Sequence, residues 1–380
     1  MLGARTQREL IMAEPSAITL GRKDWLWLVG IWVLVAATLL WRSVNSGAGV
    51  PLFLDTDDAM RMVVVRDFLE GQGWYDLVQH RLNTPFGAEV HWSRLVDLPL
   101  AGLLWLARQF TEFRQAEWVA GMVWPLLLLG VLLWLCARTT LELVGRSGLL
   151  PGLVLPILSP AILAEFSPGR VDHHNVIIVL TMATLLASLV ALRRPGAAWI
   201  AGLCAALALS IALEAVPVML AAVLAFGLGY VADPARAGNL MRFGLGLSGG
   251  MAGLLMLARP PGRWLEAACD MISPVYGLAA LAVGAAYLLV SLLPAPRDPW
   301  QRLGLLSLSG LAAIALVLAI YPQCIYGPYA QLDPWLHDNW IAGIVEARPW
   351  HLSFGEMPDY AVGIAVPVLM GLLAFPAMLK

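Results

Sequence analysis

The chain has 380 residues, of which 59% are hydrophobic and only 13% are charged. Soluble domains are typically about 25% charged, so this composition excludes an ordinary soluble protein and indicates an integral membrane protein with many spans. The net charge is −2, and the sequence contains no basic tract that would suggest nucleic-acid binding.

The N-terminal segment 1–23 is polar and ends in Arg22 and Lys23, so we expect it to be cytoplasmic. The apolar run 24–43 is too long for the core of a signal peptide, and no small-residue cleavage site follows it. It is therefore predicted to be an uncleaved first span. The remaining chain, 24–380, is predicted to form one transmembrane domain.

Ten membrane spans are predicted, because a helix needs about 20 apolar residues to cross the hydrocarbon core. The run 197–232 is too long for one span, and we divide it at Glu214 and Pro217. The predicted spans are 24–43, 118–138, 148–165, 174–193, 197–213, 215–232, 240–258, 275–293, 302–320 and 360–379. The apolar segment 95–109 is short and is predicted to be an interfacial or re-entrant helix. The predicted fold is an all-α, polytopic bundle.

Arginine placement predicts the orientation of these spans. With the N-terminus inside, every later inside loop carries basic residues, namely Arg138, Arg146, Arg193, Arg194, Arg236, Arg242, Arg297 and Arg302. The segments predicted to lie outside are the first outer loop 44–117, the stretch 166–173, the turn at Glu214, the loop 259–274 and the last outer loop 321–359. The titratable segments therefore fall together on the outer face.

The first outer loop opens with an acidic cluster in "LFLDTDDAMRMVVVRDFLEG". Asp55, Asp57 and Asp58 precede a helical pattern that ends near Gly71. Acidic residues at a helix N-terminus are favoured by the helix dipole, so capping explains Asp57 and Asp58 as well as a functional role does.

The stretch "GRVDHHN", 169–175, lies directly before an apolar span. Asp172 and His174 are two residues apart and can converge on one cation. Carboxylate oxygens suit Mg²⁺ and Mn²⁺, whereas imidazole shifts the preference toward transition metals. The competing interpretation is a polar cap on the span that follows.

A third acidic element is "WIAGIVEARPW", 340–350, in the last outer loop. Glu346 lies there in a mostly apolar context beside Arg348, although an ordinary solvated glutamate would also fit. Three acidic elements near one membrane boundary favour a functional site, because ionisable groups at membrane depth are costly and are usually functional.

Together these motifs resemble the catalytic subunit of oligosaccharyltransferases, most closely the archaeal and bacterial single-subunit type, which belongs to the GT-C class of membrane glycosyltransferases. The run from Asp57 to Arg66 is similar to the family's first-loop pattern, and "GRVDHHN" is similar to its G-x-x-D-x-E/H motif. "GIVEARPW" resembles the segment of its late-loop glutamate. The resemblance implies that Asp57, Asp172 and Glu346 are catalytic. It also implies that these three residues and His174 hold a divalent cation, Mg²⁺ or Mn²⁺.

The resemblance further implies a polyprenyl-linked sugar donor among the membrane lipids, a protein or glycan acceptor, and inversion of the anomeric centre. Three arginines, Arg94, Arg170 and Arg348, are candidates for the donor phosphate, since guanidinium binds phosphate bidentately. Interfacial snorkelling explains each of them equally well. The expected location is a bacterial inner membrane, with the site on the outer, periplasmic face.

The sequence departs from the family after the late loop, where only one more span precedes Lys380 and the family's W-W-D-Y-G acceptor-binding motif does not occur. The acceptor therefore stays open. One alternative is a polyprenyl-monophosphate-sugar glycosyltransferase acting on a polysaccharide, lipid A or a protein hydroxyl. A second is a transporter or flippase, which would need ionisable residues at mid-bilayer. A third is an inactive scaffold subunit.

Overall fold

The computed structural model describes residues 19–45, 52–53, 55–329, 331–344 and 369. Two compact units are present, residues 1–322 and residues 323–380. Glu346, Arg348 and the predicted last span 360–379, apart from Leu369, lie outside the described residues.

Helices dominate the described residues. Those of the first unit are α1 (Arg22–Asn45), α2 (Thr56–Leu69), α3 (Arg94–Ala107), α4 (Phe113–Val144), α5 (Leu149–Val154), α6 (Pro160–Glu165), α7 (His174–Ala191), α8 (Ala197–Ile211), α9 (Val216–Ala232), α10 (Ala237–Ala258), α11 (Pro274–Leu292) and α12 (Pro299–Ile320). Between α2 and α3 a hairpin pairs β1 (Val78–Gln79) with β2 (Ala88–Glu89) in antiparallel register, Val78 opposite Glu89. The second unit contains α13 (Pro334–Asn339) and a 3₁₀ turn, Ile341–Gly343.

Within the described residues, seven helical runs are long and apolar enough to cross a membrane. One of them is the run 113–158, which holds all of α4 and the beginning of the predicted span 148–165. The predicted span 197–213 is observed as α8, which at 15 residues is shorter than the others. These helices confirm the polytopic all-α bundle, although fewer of them have the full spanning length than the ten predicted.

The predicted span 148–165 is not one continuous helix. Gly145 has φ +72°, and the chain turns back there, so that Gly152 packs against Thr140 of α4. The segment then changes from α5 to a 3₁₀ turn at Leu155–Leu158 and restarts as α6 at Pro160. Proline has no N–H for the helical ladder, and the prolines at 156 and 160 each begin a new element. The average hydropathy of the segment conceals these breaks.

Helix α3 confirms that the segment predicted at 95–109 is a separate short helix. Its 14 residues span about 21 Å at 1.5 Å per residue, which is less than the hydrocarbon thickness. Leu100 and Leu104 are fully buried and pack in one cluster with Val65 of α2 and Ala120 of α4. This packing places the first outer loop directly against the bundle.

Small residues let helices α8 and α10 approach each other closely. A side chain at Gly202 would come within 2.7 Å of the backbone nitrogen of Leu247, so only glycine permits this approach of the two backbones. Small residues at helix contacts are typical of membrane proteins, where close van der Waals packing replaces a hydrophobic driving force. Fully buried Phe243 and Tyr230 belong to the same cluster.

The polar contacts lie at two opposite ends of the bundle. At one end Arg146 pairs with Asp24 at 2.6 Å and Arg193 pairs with Glu142 at 2.9 Å, which joins the loops predicted to lie inside. At the other end the indole nitrogen of Trp74 donates to the Leu257 carbonyl at 2.6 Å, which joins the first outer loop to the end of α10. These contacts join loops that were predicted to share one face.

Candidate active site and metal centre

The stretch 169–175 is held in shape by its own backbone. Gly169 has φ +96°, a left-handed conformation that favours glycine, and its N–H donates to the Gly121 carbonyl of α4 at 2.9 Å. A Cβ at this position would collide with the backbone oxygen of Leu52. At the far end of the stretch, the Asn175 amide donates to the Arg170 carbonyl at 3.0 Å. The loop therefore enters α7 in a fixed conformation.

Asp58 clamps this loop to the start of α2. One of its carboxylate oxygens accepts from the backbone N–H groups of Val171 at 2.7 Å and Asp172 at 2.9 Å. The other oxygen pairs with Arg170 at 2.9 Å, and the side chain is only 1% exposed. The helix cap itself is Asp55, which accepts from the Asp57 N–H at 3.0 Å. Capping thus accounts for Asp55, whereas Asp58 bridges two distant segments.

The centre of the site is formed by three consecutive residues. The Nδ1 atom of His173 lies 2.8 Å from Oδ1 of Asp172, and Nδ1 of His174 lies 3.0 Å from its Oδ2. The two imidazole rings are stacked with their centroids 4.4 Å apart. Within the described ranges, ligand atoms of these three residues lie within 4.8 Å of one another, so that the group can hold a divalent cation.

Arg61 contacts this centre through Asp172 and is fully buried. Its guanidinium donates to Asp172 at 2.8 Å and to Asp97 of α3 at 3.0 Å. It also stacks over the Trp92 ring, with 4.4 Å between the guanidinium carbon and the ring centroid. A buried charge requires partners, and Arg61 obtains them from two other segments of the chain.

Two further acidic residues lie beside the centre. Glu214, in the 3₁₀ turn between α8 and α9, places Oε2 3.8 Å from Nε2 of His173. Asp57 lies at the surface, close enough for the charges of Asp172, His173 and His174 to act on it. The site therefore draws on the first outer loop, the stretch before α7 and the α8–α9 turn.

The electrostatics of the site differ from one group to the next. Burial alone would raise the pKa of Asp172, but the hydrogen bonds from His173 and His174 and the charge of Arg61 hold it well below its usual range. Burial alone would lower the pKa of His173, yet the contacts with Asp172 and Glu214 raise it to about 9. Partial burial, followed by the charge of Asp172, raises the pKa of Asp57. At neutral pH the centre therefore pairs an ionised Asp172 with a protonated His173.

Some of the site residues predicted from sequence lie close together in the structure, and others lie outside the described residues. Asp172 and His174 lie together with His173, and the charge of Asp172 acts on Asp57, which is not part of that group. Glu346 and Arg348 lie outside the described residues.

The two described arginines that were predicted to bind phosphate are engaged with protein groups. Arg170 pairs with three carboxylates, those of Asp55, Asp58 and Glu165, each at 2.9 Å. Arg94 is 3% exposed and is bonded to Asp97, Gln72 and the backbone oxygen of Asp76.

No catalytic or binding role was predicted from the sequence for His173, Arg61 or Glu214. A signal existed for Arg61, because an arginine within the apolar run "AMRMVVV" of a packed helix needs a buried partner. Glu214 carried a similar signal as an acidic residue within the apolar run 197–232, but its proximity to His173 depends on the packing of the α8–α9 turn against α7.

The chain resembles known proteins in fold rather than in sequence. No protein-family model matches the sequence, and no curated protein matches it. The chain is similar to the crystal structure of the oligosaccharyltransferase of Archaeoglobus fulgidus in the apo form, with a TM-score of 0.57 and 14% identity over 85% of this chain and 40% of that one.

Two more structures of oligosaccharyltransferase from the same archaeon are similar. Its complex with an inhibitory peptide and a dolichol-phosphate, under the name AglB, gives a TM-score of 0.57 at 15% identity, covering 80% of this chain and 37% of that one. Its complex with zinc and sulfate gives a TM-score of 0.55 at 15% identity, covering 92% and 46%. The chain thus spans less than half the length of these proteins. The similarity confirms the predicted fold, an all-α, multi-pass helical bundle like that of the archaeal oligosaccharyltransferase.

Proposed function

We propose that this protein is a membrane glycosyltransferase that transfers a sugar or oligosaccharide from a polyprenyl-(pyro)phosphate donor to an acceptor. One observation carries the proposal: in a fold shared with an oligosaccharyltransferase, Asp172 and His174 lie side by side with ligand atoms close enough for one cation, and the charge of Asp172 reaches Asp57, 115 positions away in sequence. The structural neighbours include complexes with a dolichol-phosphate and with an inhibitory peptide, which supports a lipid-phosphate donor and a peptide-like acceptor for this chain.

The residues present suit a divalent cation. Oδ2 of Asp172 is buried without a hydrogen-bond partner of good geometry, and it lies beside His174 and near Asp57. We propose that these three residues hold the cation, with Glu346 as a further candidate outside the described residues. A carboxylate and imidazole donor set favours Mn²⁺ over Mg²⁺. A bound cation would act as a Lewis acid toward the phosphate of the donor.

His173 is the proposed contact for the donor phosphate. Its ring is held by Asp172, and in the cation-free site the carboxylates of Asp172 and Glu214 raise its pKa to about 9. An imidazolium hydrogen bond to phosphate is charge-assisted and therefore stronger than a neutral one. Arg170 and Arg94 each hold several protein groups at hydrogen-bond distance, whereas Nε2 of His173 has a longer contact, 3.8 Å, with Glu214. We therefore propose His173 for the phosphate role that the sequence suggested for the arginines.

Asp57 is the proposed acceptor-side residue. The acceptor nucleophile bonds to the anomeric carbon as the bond from that carbon to the phosphate oxygen breaks, which inverts the centre and releases the polyprenyl phosphate. The proton of the nucleophile passes to the Asp57 carboxylate. Asp57 suits this role because its side chain is exposed at the start of α2, where an acceptor can reach it.

The proposed location is a bacterial inner membrane, with the site on the outer face. Support comes from the arginine-rich loops, such as those of Arg146 and Arg193, which lie at the end of the bundle opposite Asp172. An inside position for the basic loops would leave the site outside.

The test is donor transfer by the purified protein in lipid nanodiscs with Mn²⁺. Pyrophosphate- and monophosphate-linked polyprenyl sugars would be offered separately, each with an asparagine-sequon peptide and with a hydroxyl acceptor. We expect transfer from the pyrophosphate donor, reduced about a hundred-fold or more by Asp172→Asn. The matched control is Glu142→Gln, which alters a buried carboxylate at the opposite end of the bundle and should retain activity.

Three results would change the assignment. Transfer from the monophosphate donor alone would favour the polyprenyl-monophosphate-sugar enzyme. Movement of the lipid across the bilayer without transfer would favour a flippase. Full transfer activity in the folded Asp172→Asn protein would contradict the proposed centre.

A further inference from the structure

A row of alternating charges leads from the centre into the interior. Asp172 pairs with Arg61 at 2.8 Å, Arg61 pairs with Asp97 at 3.0 Å, and Asp97 pairs with Arg94 at 3.3 Å. Each of the four residues is at most 3% exposed. They come from the stretch before α7, from α2 and from α3, so that three segments contribute to one row.

The two inner charges of this row are each shared between two neighbours. Asp97 uses Oδ1 for Arg61 and Oδ2 for Arg94, and Arg61 uses one terminal nitrogen for Asp97 and the other for Asp172. Charges screened by little water interact over longer distances than exposed ones. A change at Asp97 or Arg94 therefore alters how strongly Arg61 draws on the charge of Asp172.

Of the four residues in this row, Asp172 alone reaches the proposed cation site. Its Oδ1 atom is taken by Arg61 and His173, whereas Oδ2 lies toward His174. Asp97 and Arg94 have no contact with His173 or His174 among the hydrogen bonds and ion pairs of the described residues. Any effect they have on a bound cation must pass through Arg61 and Asp172.

We propose that Asp97 and Arg94 are positioning residues that set the affinity of the Asp172 centre for a divalent cation, with opposite signs. This inference rests on the proposed function, because it assumes that the centre binds a cation. Asp97 offsets the charge of Arg61 and so leaves more negative charge on Asp172. Arg94 competes with Arg61 for Asp97 and so has the reverse effect.

Because the charges in the row alternate, substitutions of Asp97 and Arg94 are expected to change the cation affinity in opposite directions. Asp97→Asn keeps an oxygen for Arg61 but removes the charge, and we expect it to weaken cation binding on the order of ten-fold, as outer-shell substitutions typically do. Arg94→Gln frees Asp97 for Arg61 and should strengthen cation binding several-fold. If the two residues merely held the loop in shape, both substitutions would weaken binding.

The experiment titrates Mn²⁺ into the purified full-length protein in nanodiscs and measures free Mn²⁺ by electron paramagnetic resonance, without donor or acceptor. The matched control is Glu117→Gln, which removes the carboxylate paired with another arginine of α2, Arg66, at 2.6 Å. It should leave the Mn²⁺ affinity unchanged. Each protein is first shown to be folded by its thermal unfolding transition.

Opposite changes in the Mn²⁺ dissociation constant for Asp97→Asn and Arg94→Gln would support the proposal. Changes of the same sign, or none in either variant, would overturn it and leave the proposed function intact. If Asp97→Asn fails to fold, a weaker or unchanged affinity in Arg94→Gln overturns the proposal on its own. Wild-type protein that binds no Mn²⁺ would instead overturn the cation-dependent function, and this inference with it.

Discussion

Replacing Asp58 by alanine is expected to destabilise the protein strongly, although Asp58 is not a proposed ligand. The substitution removes the acceptor of two buried backbone N–H groups, those of Val171 and Asp172, and one partner of Arg170. Each buried donor left without an acceptor costs about 1–3 kcal/mol. Arg170 keeps Asp55 and Glu165 as partners, so the lost ion pair adds little.

The free energy of unfolding should therefore fall by about 3–5 kcal/mol. The comparison is Asp55→Ala, which removes a side-chain helix cap three residues earlier. Asp55 is 46% exposed, and loss of such a cap typically costs about 1 kcal/mol. The two variants remove the same chemical group from the same segment, so their difference isolates the clamp on the loop.

The assay is reversible unfolding in mixed micelles titrated with a denaturing detergent, followed by tryptophan fluorescence. Transfer activity at a temperature where the protein stays folded should also fall in Asp58→Ala, because the loop that carries Asp172 loses its attachment to α2. A destabilisation no larger than that of Asp55→Ala would refute the reasoning. So would a stable Asp58→Ala protein that transfers sugar normally.

Three further outcomes are expected. The folded-state pKa of His173, about 9, lies above the ordinary 6.5, so its proton stabilises the cation-free fold fully below pH 6.5. That contribution, about 3 kcal/mol at most, is lost as pH rises through 9, and thermal melts of His173→Gln should lack this decline. Gly169→Ala should cost at least about 2 kcal/mol, because φ is +96° and Cβ would collide with Leu52, whereas Gly249→Ala in α10 has open space and should be neutral or stabilising. Arg302→Met removes donors to the Val231 carbonyl and should lower stability by about 2–4 kcal/mol without changing Mn²⁺ affinity.

Each of these expectations has a contradicting result. A wild-type melting temperature that is flat from pH 6.5 to 9 would contradict the charged state of His173. Equal stability of the two glycine variants would show that the loop adapts to a side chain at Gly169. A change of cation affinity in Arg302→Met would show that the two ends of the bundle are coupled.

The sequence was most informative where long apolar runs coincide with single helices. The span predicted to begin at residue 174 is observed as α7 from His174, and the one predicted at 275–293 is observed as α11, Pro274–Leu292. It was least informative where polar residues continue a helix. Helix α4 begins at Phe113, five residues before the predicted span, because Arg114 and Glu117 are helical although they are not apolar. Hydropathy detects the part of a helix that suits lipid, and not the turns that pack beyond it.

In the site, too, contacts between residues close in sequence could be predicted, whereas contacts between distant residues could not. Asp172 and His174 could be predicted because their relation is a spacing of two residues. The relation of Asp58 to the loop spans 114 residues, and that of Arg61 to Asp172 spans 111. Which of the adjacent Asp57 and Asp58 points at the loop depends on the rotation of α2, and that rotation is fixed by buried Met62 and Val65.

Asp58 binds the loop through main-chain amides, and this has a consequence for sequence divergence. A clamp that recognises N–H groups does not depend on which side chain stands at position 171, provided that the backbone keeps its path past Gly169. Position 171, whose valine is fully buried, can therefore take another apolar residue while the loop stays attached to α2. Substitutions of this kind are compatible with a backbone fold that is shared with other proteins at only 14–15% sequence identity.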